Sequence, residues 1–503
     1  MKKTIRVIIF LVFSLTIMMV TAVYAAPSQN PTTPQTTTPW TQLQRVDTTH
    51  SVTNGEFGYA VAIDGDTAVV GERNGNNSAG AVYVYVHSGG SWSQQQRLTA
   101  SDARLNDFFG WSVDVSGDTI IIGSPGDDDD GNASGSVYIF VRNGTTWTEQ
   151  QKITATDGDA LSFFGSAVAI DGDSAAIGAY NKNSRTGAAY VFTRSNVTWS
   201  QQQKLTANDA AANDYFGYTV AIDGDSTIVG AYRKNDAVNG NDSGAAYMFT
   251  RSGTTWSAPQ KLTASNATAS DYFGISVAID GTTALIGAYG DNGQAYVFGK
   301  NAGTWSEKKI LTASDAEAID KFGFSVSLSG ATAVIGAYAA DSSGTTDNKG
   351  AAYVFVGADT VWNEQQIITA SDGEEEDQFG YAVAVNDNTI FVGSRYVDGD
   401  RDNMGAAYIF TRIMLSVDRS GAGNGSVSSS PAGIDCGADC SETYDYGTAV
   451  TLTATADSQS YFTGWSGACS GTGNCVVTMN TAEDVVANFA PYHYIYLPSI
   501  IKP

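Results

Sequence analysis

One spacing dominates this sequence of 503 residues: a Phe-Gly pair follows a Trp at a fixed distance seven times. In each case the Phe lies 17 residues after the Trp, and successive Phe residues are 49 to 57 residues apart. The pairs are Trp40 with Phe57, Trp92 with Phe109, Trp147 with Phe164, Trp199 with Phe216, Trp256 with Phe273, Trp305 with Phe322 and Trp362 with Phe379. A repeat of this length is typical of one propeller blade, so the sequence predicts an all-β, seven-bladed β-propeller.

Each repeat carries signals for four strands. In the third repeat, residues 167–170 are apolar, residues 171–173 form an Asp-Gly-Asp turn, and residues 174–179 form a second apolar run. A polar loop separates this run from the third predicted strand, residues 187–192. Residues 199–206 alternate with period two, which is typical of an outer strand with one face against a neighbouring blade.

The two ends of the repeat region predict how the ring closes. Trp40 precedes every Phe-Gly pair, whereas the last repeat ends at residues 408–410 with no Trp segment after it. We therefore predict that the segment around Trp40 supplies the fourth strand of blade seven, which leaves no open terminal blade.

The repeated pattern F-G-x-x-V-A-I-D-G-D-T-A-x-x-G-A, followed by G-A-A-Y-V-F, resembles the FG-GAP repeat. That repeat is found in the propeller of integrin α chains and in many bacterial secreted proteins, and the resemblance covers residues 40–412. It implies the fold strongly and the function weakly, because a propeller hosts many activities.

The resemblance also implies calcium loops of the form D-x-[DN]-x-[DN]-G-x-x-D between the first two strands of a blade. The matching segments here, such as residues 64–66, 171–173 and 223–225, are only Asp-Gly-Asp. Calcium requires six to eight oxygen ligands, and these segments are too short to supply them. We interpret them as hairpin turns and do not transfer the calcium sites.

The loop that leads into the first strand of each blade, here called the lead-in loop, is rich in aspartate. An Asp lies seven residues before the Phe in five repeats: Asp102, Asp157, Asp209, Asp315 and Asp372. Another lies two residues before the Phe in five repeats: Asp107, Asp214, Asp271, Asp320 and Asp377. These residues either cap turns through Asx-type hydrogen bonds or form an acidic, cation-binding rim.

The loops between the second and third strands vary in length and composition, which favours them as binding loops. By carboxylate count, the candidate Ca²⁺ ligands are Asp127, Asp128, Asp129 and Asp130 in blade two, and Asp398, Asp400 and Asp402 in blade seven. Neither group matches a calcium motif, and solvated surface loops are the alternative interpretation.

Tyrosines follow the second predicted strand in four blades: Tyr180, Tyr232, Tyr289 and Tyr338. Blade two carries Pro125 at the same position. The tyrosines could surround the central opening and stack on sugars or peptides, or they could pack between loops. Arg233 and Arg395, in the loops between the second and third strands, complete the set of candidate ligand-binding residues.

Charge and motif content limit the class of function. The chain has 52 acidic and 27 basic residues, a net charge of -25, which argues against nucleic-acid binding. Its three histidines occur outside any H-E-x-x-H motif, and there is no P-loop or G-x-S-x-G. We expect no enzymatic activity, although a carboxylate pair acting on polysaccharide stays open.

The N-terminal residues are typical of a secretory signal. Lys2, Lys3 and Arg6 precede an uncharged, mostly apolar run at 7–23, and cleavage is expected after Ala25. An uncleaved membrane anchor is the alternative. Residues 26–39 are rich in Pro and Thr and are expected to be a disordered linker.

Beyond the repeats, residues 413–490 are expected to form a small β-rich domain. It holds all four cysteines, Cys436, Cys440, Cys469 and Cys475, whose spacing in an exported chain favours two local disulfides over a zinc site. Leu415 to Phe489 resembles the divergent internalin-type B-repeat of bacterial surface proteins. Residues 491–503 form a tail that is either a sorting tag or a terminal strand.

Together these features predict a secreted or cell-surface protein, monomeric and not integral to the membrane after signal cleavage. Its expected partner is an extracellular protein or glycan, recognised by loops on the propeller face. The alternatives are a secreted polysaccharide hydrolase or lyase on a propeller scaffold, and a structural component of the envelope or matrix.

Overall fold

The structure, a computed structural model, describes residues 40–48, 50, 52–290, 293–317, 319–341, 347–399, 401–437, 440–444, 447–479 and 482–492. The predicted signal peptide, the linker at 26–39 and the tail from residue 493 onward lie outside the described residues.

The repeat region begins with β1 (Thr41–Val46), which belongs to the last blade, and its first half then forms three four-stranded sheets. Blade one consists of β2 (Phe57–Asp64), β3 (Thr67–Glu72), β4 (Ala81–Ser88) and β5 (Ser91–Leu98). Blade two consists of β6 (Ser112–Ser116), β7 (Thr119–Ser124), β8 (Ser136–Asn143) and β9 (Thr146–Ile153). Blade three consists of β10 (Ala167–Asp171), β11 (Ser174–Ala179), β12 (Ala188–Ser195) and β13 (Thr198–Leu205), close to the predicted strands.

The second half adds four more sheets. Blade four consists of β14 (Val220–Asp223), β15 (Ser226–Ala231), β16 (Ala245–Ser252) and an outer strand in two parts, β17 (Thr255–Trp256) and β18 (Gln260–Leu262). Blade five consists of β19 (Ser276–Asp280), β20 (Thr283–Ala288), β21 (Gln294–Asn301) and β22 (Thr304–Leu311). Blade six consists of β23 (Ser325–Ser329), β24 (Thr332–Ala337), β25 (Ala351–Ala358) and β26 (Val361–Ile368). Blade seven contains β27 (Phe379–Asn386), β28 (Thr389–Ser394) and β29 (Ala406–Thr411).

The first strand of the chain completes the last blade, which confirms the predicted closure. Strand β1 pairs antiparallel with β29, with Thr41 opposite Thr411 and Val46 opposite Ala407. Trp40 packs in the apolar cluster that blades six and seven share. The ring is therefore closed by hydrogen bonds between the two ends of the repeat region.

The apolar core of the propeller lies in seven layers between successive blades. One layer joins Ile121 and Ile139 of blade two to Phe164, Ile177 and Tyr190 of blade three. In five of the seven blades the second strand is buried along its whole length, as in β11, because both of its faces meet a neighbouring blade. The outer strand is less buried, and in β13 only its Trp and its last Leu are fully buried.

The Phe of each Phe-Gly pair packs inside its own blade against the Tyr of the third strand. The ring centroids of Phe164 and Tyr190 lie 5.5 Å apart with an interplanar angle of 71°, an edge-to-face contact. The same contact recurs in the other blades at 5.1 to 5.4 Å. The two most regular parts of the motif thus meet in space, which explains why they recur together.

The short turns between the first and second strands join each blade to the next. In all seven, the side chain that ends a first strand accepts a hydrogen bond from a turn N–H of the following blade, at 2.5 to 3.2 Å. These N–H to side-chain pairs are Gly117 to Asp64, Gly172 to Ser116, Gly224 to Asp171, Gly281 to Asp223, Gly330 to Asp280, Asp387 to Ser329 and Gly65 to Asn386. The Asp-Gly-Asp segments are hairpin turns that link the blades.

Two four-residue helical segments occur in loops after the second strand, α1 (Gly75–Ser78) and α2 (Lys182–Arg185). Their interiors contain residues with left-handed φ, so they are tight turns of loop. Within the described part of the chain, no helix is long and apolar enough to cross a membrane.

The C-terminal domain packs two four-stranded sheets. One contains β30 (Ile413–Ser420), β33 (Ser441–Tyr444), β35 (Ser460–Gly467) and β37 (Glu483–Pro491), and the other contains β31 (Gly425–Ser430), β32 (Asp435–Cys436), β34 (Ala449–Ala456) and β36 (Cys475–Thr478). Both predicted disulfides are present, Cys436–Cys440 and Cys469–Cys475. Trp465 is buried in the domain core, and its indole N–H donates to the Gly473 carbonyl at 2.7 Å.

Candidate functional site

Three positions in each blade send side chains to one face of the propeller: the residue before Phe-Gly, the residue after it, and the residue that follows the second strand. The residue before Phe-Gly has a left-handed φ of 56° to 63° in every blade. The residue that follows the second strand is, from blade one to blade seven, Arg73, Pro125, Tyr180, Tyr232, Tyr289, Tyr338 and Arg395. These positions place an aromatic or cationic group at nearly every blade around the central opening.

The four predicted tyrosines belong to one chain of aromatic contacts on this face. Tyr180 stacks on Tyr215 with ring centroids 5.6 Å apart, and Tyr289 stacks on Tyr272 at 4.9 Å. The chain of contacts runs from Trp111 through Tyr59, Tyr381, Phe324, Tyr289, Tyr272, Tyr232, Tyr218 and Tyr180 to Phe163. Tyr338 packs on Phe324 at 4.7 Å. The tyrosines therefore both surround the opening and pack between loops.

Burial changes the ionisation of these phenols. Loss of water raises the pKa of Tyr180 and of Tyr289 to about 12, with neighbouring tyrosine hydroxyls adding to the effect. The rings are therefore neutral hydrogen-bonding groups at physiological pH.

Arginines of this face lie over the aromatic rings. The Arg73 guanidinium carbon is 4.0 Å from the Tyr59 ring centroid and 4.7 Å from that of Trp111, while Arg73 also pairs with Glu56 at 2.7 Å. The Arg395 carbon is 3.9 Å from the Tyr381 centroid. Arg233 lies over Tyr215 at 5.3 Å and over Tyr232 at 5.6 Å. Cation–π contacts thus occupy part of the aromatic surface with the protein's own charges.

Arg73 was missed as a candidate by the sequence analysis. The signal was present, since Arg73 and Arg395 follow the second strand of their blades at the position of Pro125 and the four tyrosines. An alignment of all seven repeats at that position indicates Arg73 as a candidate.

The chain of aromatic contacts is interrupted where blades two and three meet. The junction between two neighbouring blades is here called a seam. Pro125 replaces the tyrosine of blades three to six, and Ser166 stands after Phe-Gly where blades one and two carry Tyr59 and Trp111. A cleft of about 540 Å³ opens at this seam. Two small side chains in adjacent blades therefore leave space that larger side chains fill elsewhere on the face.

The cleft has aromatic walls and a polar rim. Phe108 and Trp111 form one wall, with ring centroids 5.9 Å apart, and Phe163 and Tyr180 form the other at 5.6 Å. The polar groups include Asp128, Asn106 and Asn132. Leu105 is 67% exposed and Leu161 49% exposed, so two large apolar side chains stand in water at the mouth. The cleft combines apolar area with a few polar groups, the usual composition of a ligand pocket.

The predicted acidic cluster of blade two encloses a lysine. The Lys152 ammonium lies 2.9 Å from Asp127, 2.7 Å from Asp102 and 2.5 Å from Asp129. It takes the position at the centre of these three carboxylates, the one group among the described residues close enough together to hold a metal. Asp128 instead accepts the Ala133 N–H at 2.7 Å, and Asp130 is exposed.

In the predicted group of blade seven, the two described aspartates, Asp398 and Asp402, take part in hydrogen bonds with loop backbone. Asp398 accepts the Asn403 N–H at 2.7 Å, and the Asp402 carbonyl accepts the Asn54 N–H at 2.9 Å. Asp400 lies outside the described residues. Asp398 therefore acts as a turn cap.

The aspartates of the lead-in loops accept hydrogen bonds that cap turns, which was one of the two interpretations from the sequence. Each Asp two residues before a Phe accepts the backbone N–H three residues earlier, at 2.5 to 2.9 Å, as Asp214 does from Ala211. Four of the aspartates seven residues before a Phe accept the hydroxyl of the buried third-strand Tyr at 2.6 to 2.9 Å. Asp372 pairs with Arg45 at 2.5 Å.

The other end of the central channel is acidic. A space of about 420 Å³ is lined by the first strands, including Asp64, Asp114, Asp171, Asp223 and Asp280. Burial raises the pKa of Asp114 to about 7, and the neighbouring carboxylates of Asp64 and Asp171 add to the effect. Four of these five carboxylates, all except Asp114, accept the blade-linking bonds described above, so this end serves the scaffold.

Comparison with known proteins gives two family matches. The FG-GAP repeat matches seven segments that cover more than half of the chain, residues 40–85, 92–140, 147–192, 199–249, 256–298, 305–355 and 362–410. The Divergent InlB B-repeat domain matches residues 415–493.

Among the curated proteins, none matches this sequence. Among solved structures, a chain of the "Crystal Structure of Mitotic Checkpoint Complex" is 14% identical, with a TM-score of 0.47, and the match covers 79% of this chain and 98% of that one. A likeness of this degree carries no conclusion about function.

Proposed function

The chain belongs to the FG-GAP repeat family, and on that premise we propose that it is an exported binding protein that recognises a protein or a glycan through its propeller face. The FG-GAP and B-repeat domains are those of an extracellular or surface β-propeller protein, and two disulfides fit an oxidising compartment.

The cleft between blades two and three carries the proposal. It lies where two small side chains of adjacent blades, Pro125 and Ser166, stand at positions that are aromatic in most blades, and Phe108 and Phe163 line a common space there. Aromatic faces stack on sugar rings or on apolar side chains, while Asp128 and Asn132 offer polar contacts at the rim. Exposed Leu105 and Leu161 extend the apolar area at the mouth.

Binding without catalysis is the better match to the lining of the cleft. Glycoside hydrolases generally use two carboxyl groups that flank the scissile bond. Asp128 is the one carboxylate among the residues that line this cleft, and it already caps a turn. We therefore propose that the cleft holds a ligand and releases it unchanged.

The C-terminal domain has a separate role in this proposal. Its core is complete in itself, with Val427, Leu452, Trp465 and Phe489 buried and two disulfides closing local loops. We propose that it serves as a spacer or attachment module that presents the propeller.

The test is binding of the full chain to glycan and protein arrays, with and without calcium. The informative variant is Pro125→Tyr, which gives blade two the side chain of blades three to six and fills the cleft. The control is Val238→Tyr, which adds the same ring to a loop residue of blade four that is 91% exposed.

We expect the wild type and Val238→Tyr to bind the same ligand and Pro125→Tyr to lose it. A wild-type protein that binds nothing on either array contradicts the proposed function. Full binding by Pro125→Tyr shows that the ligand uses another part of the chain.

A further inference from the structure

The acidic lead-in loops of blades three and four are neutralised by two lysines each. In every case a lysine ammonium lies 2.7 to 2.9 Å from an aspartate carboxylate. The pairs are Lys182 with Asp159, Lys204 with Asp157, Lys234 with Asp214 and Lys261 with Asp209. Four ammonium groups therefore balance these four carboxylates.

Two arginines of the same two blades converge on one aromatic ring, that of Tyr215. Arg185 belongs to the loop after the second strand of blade three, and its guanidinium carbon lies 5.9 Å from the Tyr215 ring centroid. Arg233 follows Tyr232 in blade four, and its guanidinium carbon lies 5.3 Å from the same centroid. The Arg185 carbonyl accepts the Tyr215 N–H at 2.9 Å, so a backbone hydrogen bond across the seam holds the loop beside the ring.

Neither arginine has a counter-ion among the described residues. Arg185 Nε donates to the neutral side chain of Asn181 at 3.3 Å, and Arg233 Nε is buried without a hydrogen-bond partner. The charge of Asp242 acts on Arg233, but the two side chains form no ion pair in the described part of the chain. A cation–π contact stabilises a guanidinium group and leaves its positive charge uncompensated.

Blade one treats its arginine differently. Arg73 lies over the rings of Tyr59 and Trp111, and it also pairs with Glu56 at 2.7 Å. The protein therefore neutralises the arginine of blade one, whereas the seam between blades three and four presents two guanidinium groups that the protein does not neutralise.

The overall charge of -25 does not determine the charge at this seam. The acidic turns between the first and second strands line the other end of the central channel. At physiological ionic strength the screening length is about 8 Å, so distant carboxylates contribute little and the two nearby arginines dominate. The seam is therefore a locally positive place on an acidic protein.

We propose, building on the proposed function, that the ligand is an acidic glycan and that Arg185 and Arg233 bind the carboxylate of a uronic acid unit beside the Tyr215 ring. A guanidinium group binds a carboxylate through paired N–H···O bonds. A uronic acid joins an apolar ring face to a carboxylate within one small unit, which matches an aromatic ring flanked by two guanidinium groups.

This site adjoins the cleft between blades two and three. Tyr215 stacks on Tyr180, which forms part of the cleft wall, with ring centroids 5.6 Å apart. A glycan chain that leaves the cleft across Tyr180 therefore reaches the two arginines. Its other units keep their hydroxyls for Asn132 and Asp128 at the cleft rim.

The test titrates the full chain with an oligogalacturonide and an oligomannuronide by calorimetry in chelator, each beside its methyl ester. An oligoglutamate peptide of the same charge is a parallel arm. We expect a uronic acid oligosaccharide to bind, and its ester to bind about tenfold more weakly or less, because esterification removes the charge and keeps the sugar ring.

The decisive variants are Arg185→Gln and Arg233→Gln. Each should weaken binding of the oligosaccharide by about tenfold, because each removes charge-assisted hydrogen bonds to the carboxylate. Arg395→Gln is the matched control: this arginine lies 3.9 Å from the Tyr381 centroid on the same face, in blade seven, and its loss should leave binding unchanged. Thermal unfolding without ligand checks that each variant is folded.

The inference is overturned if neither uronic acid oligosaccharide binds or if the esters bind equally well. It is also overturned if the oligoglutamate peptide binds as tightly, which would make the ligand an acidic peptide, or if Arg395→Gln weakens binding as much as the other two variants. The proposed function survives each of these results when the arrays yield a ligand that Pro125→Tyr loses, whereas arrays that yield no ligand contradict the proposed function itself.

Discussion

The side-chain amide of Gln366 binds both backbone polar groups of Trp40: its Oε1 accepts the Trp40 N–H at 2.5 Å, and its Nε2 donates to the Trp40 carbonyl at 2.8 Å. Gln366 belongs to the outer strand of blade six, whereas Trp40 immediately precedes the strand that completes blade seven. The same amide bridge joins five other seams, Gln44 to Trp92, Gln96 to Trp147, Gln151 to Trp199, Gln203 to Trp256 and Gln260 to Trp305. At the seam between blades five and six, Lys309 takes the place of the glutamine.

The first prediction concerns this bridge. Gln366→Ala removes two hydrogen bonds across the seam between blades six and seven, and we expect it to lower the free energy of unfolding by about 1 to 2 kcal/mol. Lys309→Gln supplies the missing bridge to Trp362 and should raise the free energy by about 1 kcal/mol. Urea denaturation of both variants measures these changes. Lys309→Ala is the control and should be nearly neutral; equal losses in the two alanine variants would show that the bridge contributes nothing.

The second prediction explains why the glycine of Phe-Gly recurs. Gly217 has a φ of 85°, and a Cβ there would lie 2.2 Å from the Ala188 carbonyl oxygen. Gly172, in a turn between first and second strands, has a φ of 54° and open space around the same position. Gly172→Ala should therefore lower the free energy of unfolding by about 1 kcal/mol, which is the conformational strain of a left-handed residue alone. Gly217→Ala should lower the free energy of unfolding by about 3 kcal/mol or more, because the backbone at Ala188 must also move to make room for the methyl group.

Thermal unfolding of the two glycine variants checks that difference. Each variant replaces one hydrogen by a methyl group at a residue with positive φ, so the difference between them reports the close contact at Gly217 together with its larger φ. Similar Tm losses in both would mean that conformational strain, and not close approach, maintains the Phe-Gly motif.

Much of the fold was predictable because its signals are local and repeated. The offset between Trp and Phe, the Asp-Gly-Asp turns and the alternating sequence of the outer strand are each contained within one repeat. The last repeat has no Trp segment after it, which indicated that β1 completes blade seven. The partners of Asp127 were harder to foresee. Lys152 lies 25 residues from it in the sequence, and only the pairing of the outer strand with the third strand brings its ammonium into the acidic loop.

The cleft could not be predicted for a related reason. Pro125 was recognised as the exception among tyrosines, but a cavity also needs Ser166 in the next blade to be small. Whether two small residues in different repeats meet depends on the seam geometry and not on either repeat alone.

The third prediction is a pH dependence set by Glu72, which is fully buried in blade one. Its Oε2 accepts the Tyr83 hydroxyl at 2.9 Å, while its Oε1 has no partner. Burial raises the pKa of Glu72 from 4.5 to about 7, although the hydrogen bond from Tyr83 and the charge of Arg97 oppose this. The folded protein therefore holds a proton on this carboxyl at a pH where the unfolded chain has released it.

The sign follows from linkage. Below about pH 4.5 the carboxyl is protonated in both states and contributes nothing. Between about 4.5 and 7 the unfolded carboxyl ionises first, so the free energy of unfolding falls, and above about 7 the loss is complete. The difference corresponds to on the order of 3 kcal/mol.

Glu72→Gln has no charge to lose, so its stability relative to the wild type should rise between pH 5 and pH 8. Denaturation at these two pH values measures the difference. Glu375→Gln, at an exposed glutamate, is the control and should show no such change. A pH-independent difference between wild type and Glu72→Gln would show that Glu72 stays ionised in the folded protein.

The last prediction separates the cleft from the rest of the aromatic face. Phe163 and Tyr272 occupy the same repeat position, before Phe-Gly with a φ of 56° and 59°, and each packs on the residue that follows the second strand, Tyr180 or Tyr289. Phe163→Ala and Tyr272→Ala should therefore lower the free energy of unfolding by similar amounts. Only Phe163 lines the cleft, so Phe163→Ala should weaken ligand binding by about tenfold or more, whereas Tyr272→Ala should leave it unchanged. Calorimetric titration with a ligand taken from the arrays decides between them, and equal weakening by both variants would assign recognition to the whole aromatic surface and not to the seam at Pro125.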